Sequence, residues 1–147
     1  LILDEPVASL DPLARREFLA DLMELAADGL SIVLSSHLLE DVERICDHLI
    51  VLAAGQVRLA GDVDELLDSH KVLTGARRDP DRLPADQTVI QQSHTERQST
   101  FLVETTRPVL DPSWTVSDVG LEELVLAYMA TPSVATRPAT PALRSVS

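Results

Sequence analysis

Two acidic residues in tandem, Asp4-Glu5, end one short apolar run, Leu1-Ile2-Leu3, and His37 comes after a second, Ile32-Val33-Leu34. Between them, Ser9-Leu10-Asp11 forms a turn ahead of Pro12. Short continuous apolar runs read as strands of a parallel sheet buried on both faces, and in such sheets function sits at the carboxyl ends of strands. Asp4, Glu5 and His37 are therefore expected at one edge. Each has a physical role if a nucleotide and magnesium are present. Asp4 can hold Mg²⁺ through its hydration shell, because that ion keeps several waters and takes few protein ligands. Glu5, one residue further, can orient or deprotonate an attacking water. His37 can donate a hydrogen bond to a phosphate, and departure of that group would break the bond.

The elements that must position these residues can be read from local signals. Asp11 before Pro12 is a cap residue ahead of proline at the first helical position, and Phe18, Leu22 and Leu25 recur at helical spacing. The helix is predicted over Pro12 to Asp28, with Gly29 as its stop. Ser31 to Ser35 is the second strand, and Leu38, Val42 and Ile45 mark an amphipathic helix after it. Leu49 to Leu52 and Gln56 to Ala60 read as paired strands around Ala54-Gly55. Asp62 with Glu65 is a capping-box pattern opening a helix through Leu67.

After about His70 the texture changes. Ala76 to Gln87 reads as a loop, and Thr88 to Ile90 and Thr100 to Glu104 read as strands. Ser117 or Asp118 is expected to cap a final helix whose Leu121, Leu124, Val125 and Tyr128 share one face. Thr131 to Ser147, rich in Pro, Thr, Ser and Ala, is expected to be disordered. The division is thus residues 1–70, an accessory segment 71–130 and a tail 131–147. The chain starts with Leu inside an apolar strand, so a truncated start is expected, with exposed apolar surface and a tendency to aggregate.

The 147 residues carry a net charge of −12. Residues 1–70 hold fifteen Asp/Glu against four Lys/Arg, and residues 71–147 hold nine against eight. A first half this acidic repels phosphate backbones and anionic lipid, which argues against nucleic acid as a partner. Cys46 is the single cysteine. It excludes an internal disulfide and reads as a small core residue. No apolar run approaches the roughly 20 residues that cross a bilayer as a helix.

The run Leu1-Ile2-Leu3-Asp4-Glu5-Pro6 resembles the Walker B strand of ATP-binding cassette (ABC) ATPases, Ser9-Leu10-Asp11-Pro12 resembles their D-loop, and Ser36-His37 their switch histidine. The stretches Leu38 to Glu43, Asp47 to Leu52 and Gly55 to Val57 are similar to the segment after that histidine in transporter members. Leu121-Glu122-Glu123 is similar to the start of the last helix in drug- and lipid-exporter types. The resemblance implies an α/β fold, a partial P-loop NTPase parallel sheet with flanking helices and then a small α+β segment. It implies a transport ATPase, with export as its direction and ATP and Mg²⁺ as ligands, Asp4 at magnesium, Glu5 as catalytic base and His37 at the γ-phosphate. It also implies that Ser9, Leu10 and Asp11 lie at the interface with a second nucleotide-binding domain, identical or homologous. An integral membrane permease would be the other partner, keeping the subunit at the cytoplasmic face of the membrane. Val7-Ala8-Ser9 departs slightly from the commonest D-loop form. The sequence holds no Gly-rich Walker A loop with its Lys, no glutamine loop and no Leu-Ser-Gly-Gly signature, so this segment alone is expected to be inactive.

Two other readings stay open: a non-transport member of the superfamily acting in DNA repair or on ribosomes, and a non-catalytic remnant serving as a protein-interaction module. Plainer roles stand beside the functional ones. Asp11 caps a helix whatever else it does, and Glu40, Asp41 and Glu43 read as a wet helix face. Arg77-Arg78 reads as a solvated loop pair, Trp114 and Tyr128 as core anchors, and His48, His70 and His94 as structural or exposed.

Overall fold

The computed structural model of the chain describes residues 1–80, 83, 84 and 86–130. The tail expected to be disordered, residues 131–147, lies outside the described residues. Helices and strands are mixed as expected, with four helices among the described residues.

Strand β1 (Ile2–Asp4) pairs in parallel with β2 (Val33–Ser35), in the register Ile2 to Val33, Leu3 to Leu34 and Asp4 to Ser35. Helix α1 (Pro12–Ala27) connects them. It starts where the sequence signals it, with Asp11 Oδ1 accepting from the N–H groups of Leu13 and Ala14, and it stops at Gly29 with φ +93°, a conformation that favours glycine. Helix α2 (Leu39–Ile45) comes after β2, and α1 packs beside it through Leu19 and Leu22, which cluster with Val7 of the preceding turn and have Leu10, Phe18, Leu38 and Ile45 around them. The expectation that β1 and β2 are buried on both faces is not met. The ladder has only two strands, and Ile2 and Val33 are 83% and 62% exposed, because no element among the described residues covers that side.

Strands β3 (His48–Ala53) and β4 (Gln56–Asp62) form an antiparallel hairpin. Its two-residue turn, Ala54-Gly55, has both φ values positive, 51° and 73°, the backbone twist that matches a right-twisted hairpin. Asp62 then caps α3 (Val63–Ser69) by accepting from Glu65 N–H at 3.1 Å.

The rest is one antiparallel sheet in the order β6-β7-β5-β8, made of β5 (His70–Ala76), β6 (Gln87–His94), β7 (Gln98–Thr105) and β8 (Trp114–Asp118). Val72 and Leu102 point to the face covered by α4 (Leu121–Ala130), where Leu124, Ala127 and Tyr128 meet them. Leu73, Phe101, Val103 and Trp114 point to the other face, closed by Leu83 and Val109 from loops. Leu121 and Val125 of α4 also join Val42, Leu49, Val51 and Val63, so one helix seals the hairpin and the sheet together. Cys46 packs at the margin of that cluster, and burial pushes its thiol above the usual range.

Four expectations need correction. Ser117 and Asp118 do not cap α4; they lie in β8, and the helix opens after Gly120, whose carbonyl accepts from Leu124 N–H. β5 and β8 form where local sequence signals place no strands. Arg77 and Arg78 are not simply solvated. Arg77 Nη1 donates to the Thr95 carbonyl at 2.8 Å, and the Arg78 guanidinium lies 4.5 Å over the Trp114 ring while donating to Ser113 Oγ. Asp41 is not on a wet face but leans on Arg15, its side chain only 15% exposed.

Candidate active site

The site starts from the register of two strands. Because Asp4 pairs with Ser35, both parallel strands end at the same level and deliver their next residues to one edge. Ser35 Oγ donates to Asp4 Oδ1 at 2.5 Å and accepts from Glu5 N–H at 2.9 Å, so one hydroxyl ties the two strand tips together. Sequence patterns do not single out Ser35. Its position at the end of an apolar run opposite another such end is the one signal that points to it.

Glu5 has φ +46°, the left-handed region that side-chain-bearing residues seldom occupy. Pro6 comes next, which disfavours the right-handed helical conformation at Glu5. Backbone strain of this kind costs on the order of 1 kcal/mol and persists only where the surroundings enforce it. Here the amide bond to Ser35 and the bond from Ala8 N–H to the Glu5 carbonyl hold the kink. The kink turns the side chain toward β2, where Glu5 Oε2 meets His37 Nδ1 at 2.8 Å. The carboxylate accepts, so the ring N–H donates. Both side chains remain open to solvent, His37 67% and Glu5 39% exposed.

The structure thus brings Asp4, Glu5 and His37 to one edge. The turn after Glu5 is fastened from below. Val7 is almost wholly buried, Leu10 N–H donates to the Val7 carbonyl, and Leu10 packs with the same cluster. Ser9 and Asp11 are exposed, and the Asp11 carboxylate is engaged by the first turn of α1. Asp4 is an exposed carboxylate at a strand end beside a hydroxyl, a donor set that fits a magnesium ion held through its own waters. Among the described residues no cluster of three or more His, Cys, Asp or Glu side chains could bind a metal directly.

Three more histidines do other work. His70 is fully buried: its Nδ1–H donates to the Leu66 carbonyl at 2.6 Å and its Nε2 accepts from Tyr128 O–H at 2.9 Å. Burial holds its imidazolium form down, with the Leu66 carbonyl and Glu104 opposing in part, and burial also raises the Tyr128 hydroxyl well above its ordinary value. His94 is bonded to Ser99 Oγ, and His48 is exposed. No helix among the described residues is long and apolar enough to cross a membrane.

No family model matches the chain. Curated proteins do. An uncharacterised ABC transporter ATP-binding protein of Nostoc sp. is 42% identical over 70 residues, 48% of this chain and 21% of that protein. The Nod factor export ATP-binding protein I of Cupriavidus metallidurans is 44% identical over 70 residues, 48% of this chain and 23% of its own. The energy-coupling factor transporter ATP-binding protein EcfA2 of Streptococcus agalactiae is 40% identical over 73 residues, 50% of this chain and 26% of its own. The chain therefore spans only 21% to 26% of the length of these relatives. They are ABC transporter ATP-binding proteins, and the similarity is in keeping with a partial ATP-binding domain of that family.

Proposed function

We propose that this chain is part of the ATP-hydrolysing subunit of an ABC transporter, with residues 1–70 the later portion of its nucleotide-binding domain and residues 71–130 an accessory segment. The observation that supports it best is the 2.8 Å contact between Glu5 and His37 at the shared end of two parallel strands, in a chain similar to such proteins. In this reading Glu5 aligns the attacking water and accepts its proton. His37, whose Nδ1 faces Glu5, recognises the γ-phosphate through Nε2. Asp4 holds magnesium through water, and that ion when bound neutralises phosphate charge. The kinked backbone at Glu5 keeps the carboxylate in place before substrate arrives, so orientation is settled ahead of the chemical step.

The 147 residues include no Gly-rich loop with Lys, so turnover is assigned to the complete subunit. That subunit would pair with a second nucleotide-binding domain through Ser9, Leu10 and Asp11, and drive a separate permease from the cytoplasmic face of the membrane. Export is the direction proposed, on the similarity to an export ATP-binding protein.

The test is Glu5→Gln in the complete subunit. ATP binding should persist while turnover falls by about 10² to 10⁴, the usual contribution of a general base. Hydrolysis at the parental rate would rule out the role given to Glu5.

A further inference from the structure

Behind the reactive edge, Arg15 of α1 and Asp41 of α2 face each other, Nη1 to Oδ2 at 3.6 Å, with side chains 28% and 15% exposed. Arg15 Nε and Asp41 Oδ2 are both buried and without a hydrogen-bond partner. This is not a solvated surface pair, which would contribute little. Two charges have been withdrawn from water, and each is the other's compensation.

Each charge is one turn away from the chemistry. Arg15 N–H donates to the Asp11 carbonyl at 2.9 Å, at the end of the turn that leaves Glu5. Asp41 N–H donates to the Leu38 carbonyl at 3.1 Å, next to His37. The chain thereby forms a ring of contacts: Glu5, the turn to Asp11, Arg15, Asp41, Leu38, His37 and back to Glu5. Its two polar closures are the Glu5–His37 bond in front and the Arg15–Asp41 pair behind.

The interior of that ring is apolar: Val7, Leu19 and Leu22, with Leu10, Leu38 and Ile45. Apolar packing is strong but has no direction, so α1 and α2 could slide against each other at little cost. A charge pair resists that sliding. We propose that Arg15 and Asp41 are positioning residues, an ionic clamp that fixes α1 against α2 and so keeps Glu5 and His37 in register. This inference rests on the proposed function. At 3.6 Å Arg15 Nη1 and Asp41 Oδ2 lie just outside hydrogen-bond reach, so closer approach of the helices converts the pair into a charge-assisted hydrogen bond that satisfies the orphaned Asp41 Oδ2.

The experiment uses the complete ATP-binding subunit. The double variant Arg15→Met with Asp41→Leu removes both charges together, an exchange that as a rule leaves stability near parental. A displacement of about 1 Å at a reacting group can cost about a hundredfold, so kcat should fall roughly tenfold to a hundredfold while the Kd for ATP moves less than about threefold. The charge swap Arg15→Glu with Asp41→Arg should return kcat to within about fivefold of parental, because the attraction survives reversal. An apolar pair with parental kcat overturns the clamp, as does a swap no faster than the apolar pair, or a loss of ATP affinity as large as the loss of kcat. Where the apolar pair melts early, the swap alone decides. Glu5→Gln in the same background separates the two ideas: if it abolishes turnover and the clamp variants do not reduce it, only the clamp fails.

Discussion

The β1–β2 ladder and the sheet of β5 to β8 are made from similar apolar residues, but they bury them very differently. In the four-stranded sheet, Leu73, Phe101 and Val103 are completely inside, with α4 against one face and loops against the other. In the parallel ladder, Leu3 is only half-buried and Ile2 stands in solvent. The sheet commits its side chains to its own core and keeps its charged residues as props, Arg78 over Trp114 and Lys71 beside Asp118. The ladder leaves its polar residues, Asp4, Glu5 and His37, open at a strand end and stabilises them with one serine and one strained turn. The region to which the proposed chemistry is assigned is therefore the less completely packed of the two among the described residues.

The largest blow to that contrast is Phe101→Ala. Phe101 has no solvent exposure and meets Trp114 and His94 edge-on, both with centroids at 5.6 Å. Its truncation should cost about 3 to 5 kcal/mol, read as a lower midpoint in urea, with amide protection reduced across β5 to β8. If protection in β5 to β8 survived, the sheet would not be a closed unit.

Next in size is Gly75→Ala. A methyl group there would come within 2.7 Å of the Trp114 ring and 2.9 Å of the Ser113 carbonyl, and backbone cannot yield as a side-chain tip does. Overpacking of this kind costs about 1 to 3 kcal/mol, and quenching or shift of Trp114 fluorescence should report the displaced ring. The same substitution at Gly61, where the nearest atoms belong to the Leu66 side chain at 3.2 Å and beyond, should cost less.

How far the sequence revealed these two regions depends on the range of the forces that build them. The helix from Pro12, the hairpin turn at Ala54-Gly55 and the cap at Asp62 were legible because each is decided within a few residues. The edge bearing Asp4, Glu5 and His37 was legible because two apolar runs end in polar residues. β5 and β8 were not legible. Their strand character comes from pairing with partners far along the chain, such as Leu73 with Phe101 and with Val116, and His-Lys-Val-Leu-Thr-Gly-Ala has neither alternation nor turn signals to announce it. Distance in sequence hid the Arg15–Asp41 pair and the burial of His70 for the same reason.

His70 gives the contrast a pH dependence. Its folded-state pKa lies below the ordinary 6.5, chiefly because burial disfavours the charged ring. Between that lowered value and 6.5 the unfolded chain binds more protons than the folded one, so stability falls as pH drops through 6.5 and onward to the folded pKa. Lys71, like Leu66, Tyr128 and Glu104, lies around the ring, but the sign is set by the net lowering. Urea midpoints at about pH 7 and about pH 5 should differ more for the parental chain than for His70→Gln, which cannot titrate. Equal differences would remove His70 as the cause.

The smallest effect belongs to Ile2. At 83% exposure it has little to lose, so Ile2→Ala should change the stability of this chain by no more than about 0.5 kcal/mol, against several for the buried Phe101. The proposed function reverses that expectation in the complete subunit, where a longer sheet would cover β1 on the side now open. There the same substitution should cost about 2 to 4 kcal/mol, the range of a buried isoleucine. Measuring one substitution in both settings therefore asks whether the exposed ladder is a finished surface or an interior seen without its neighbours. An equally small effect in both would mean that Ile2 is surface in its own right, and that the parallel ladder is not the edge of a larger sheet.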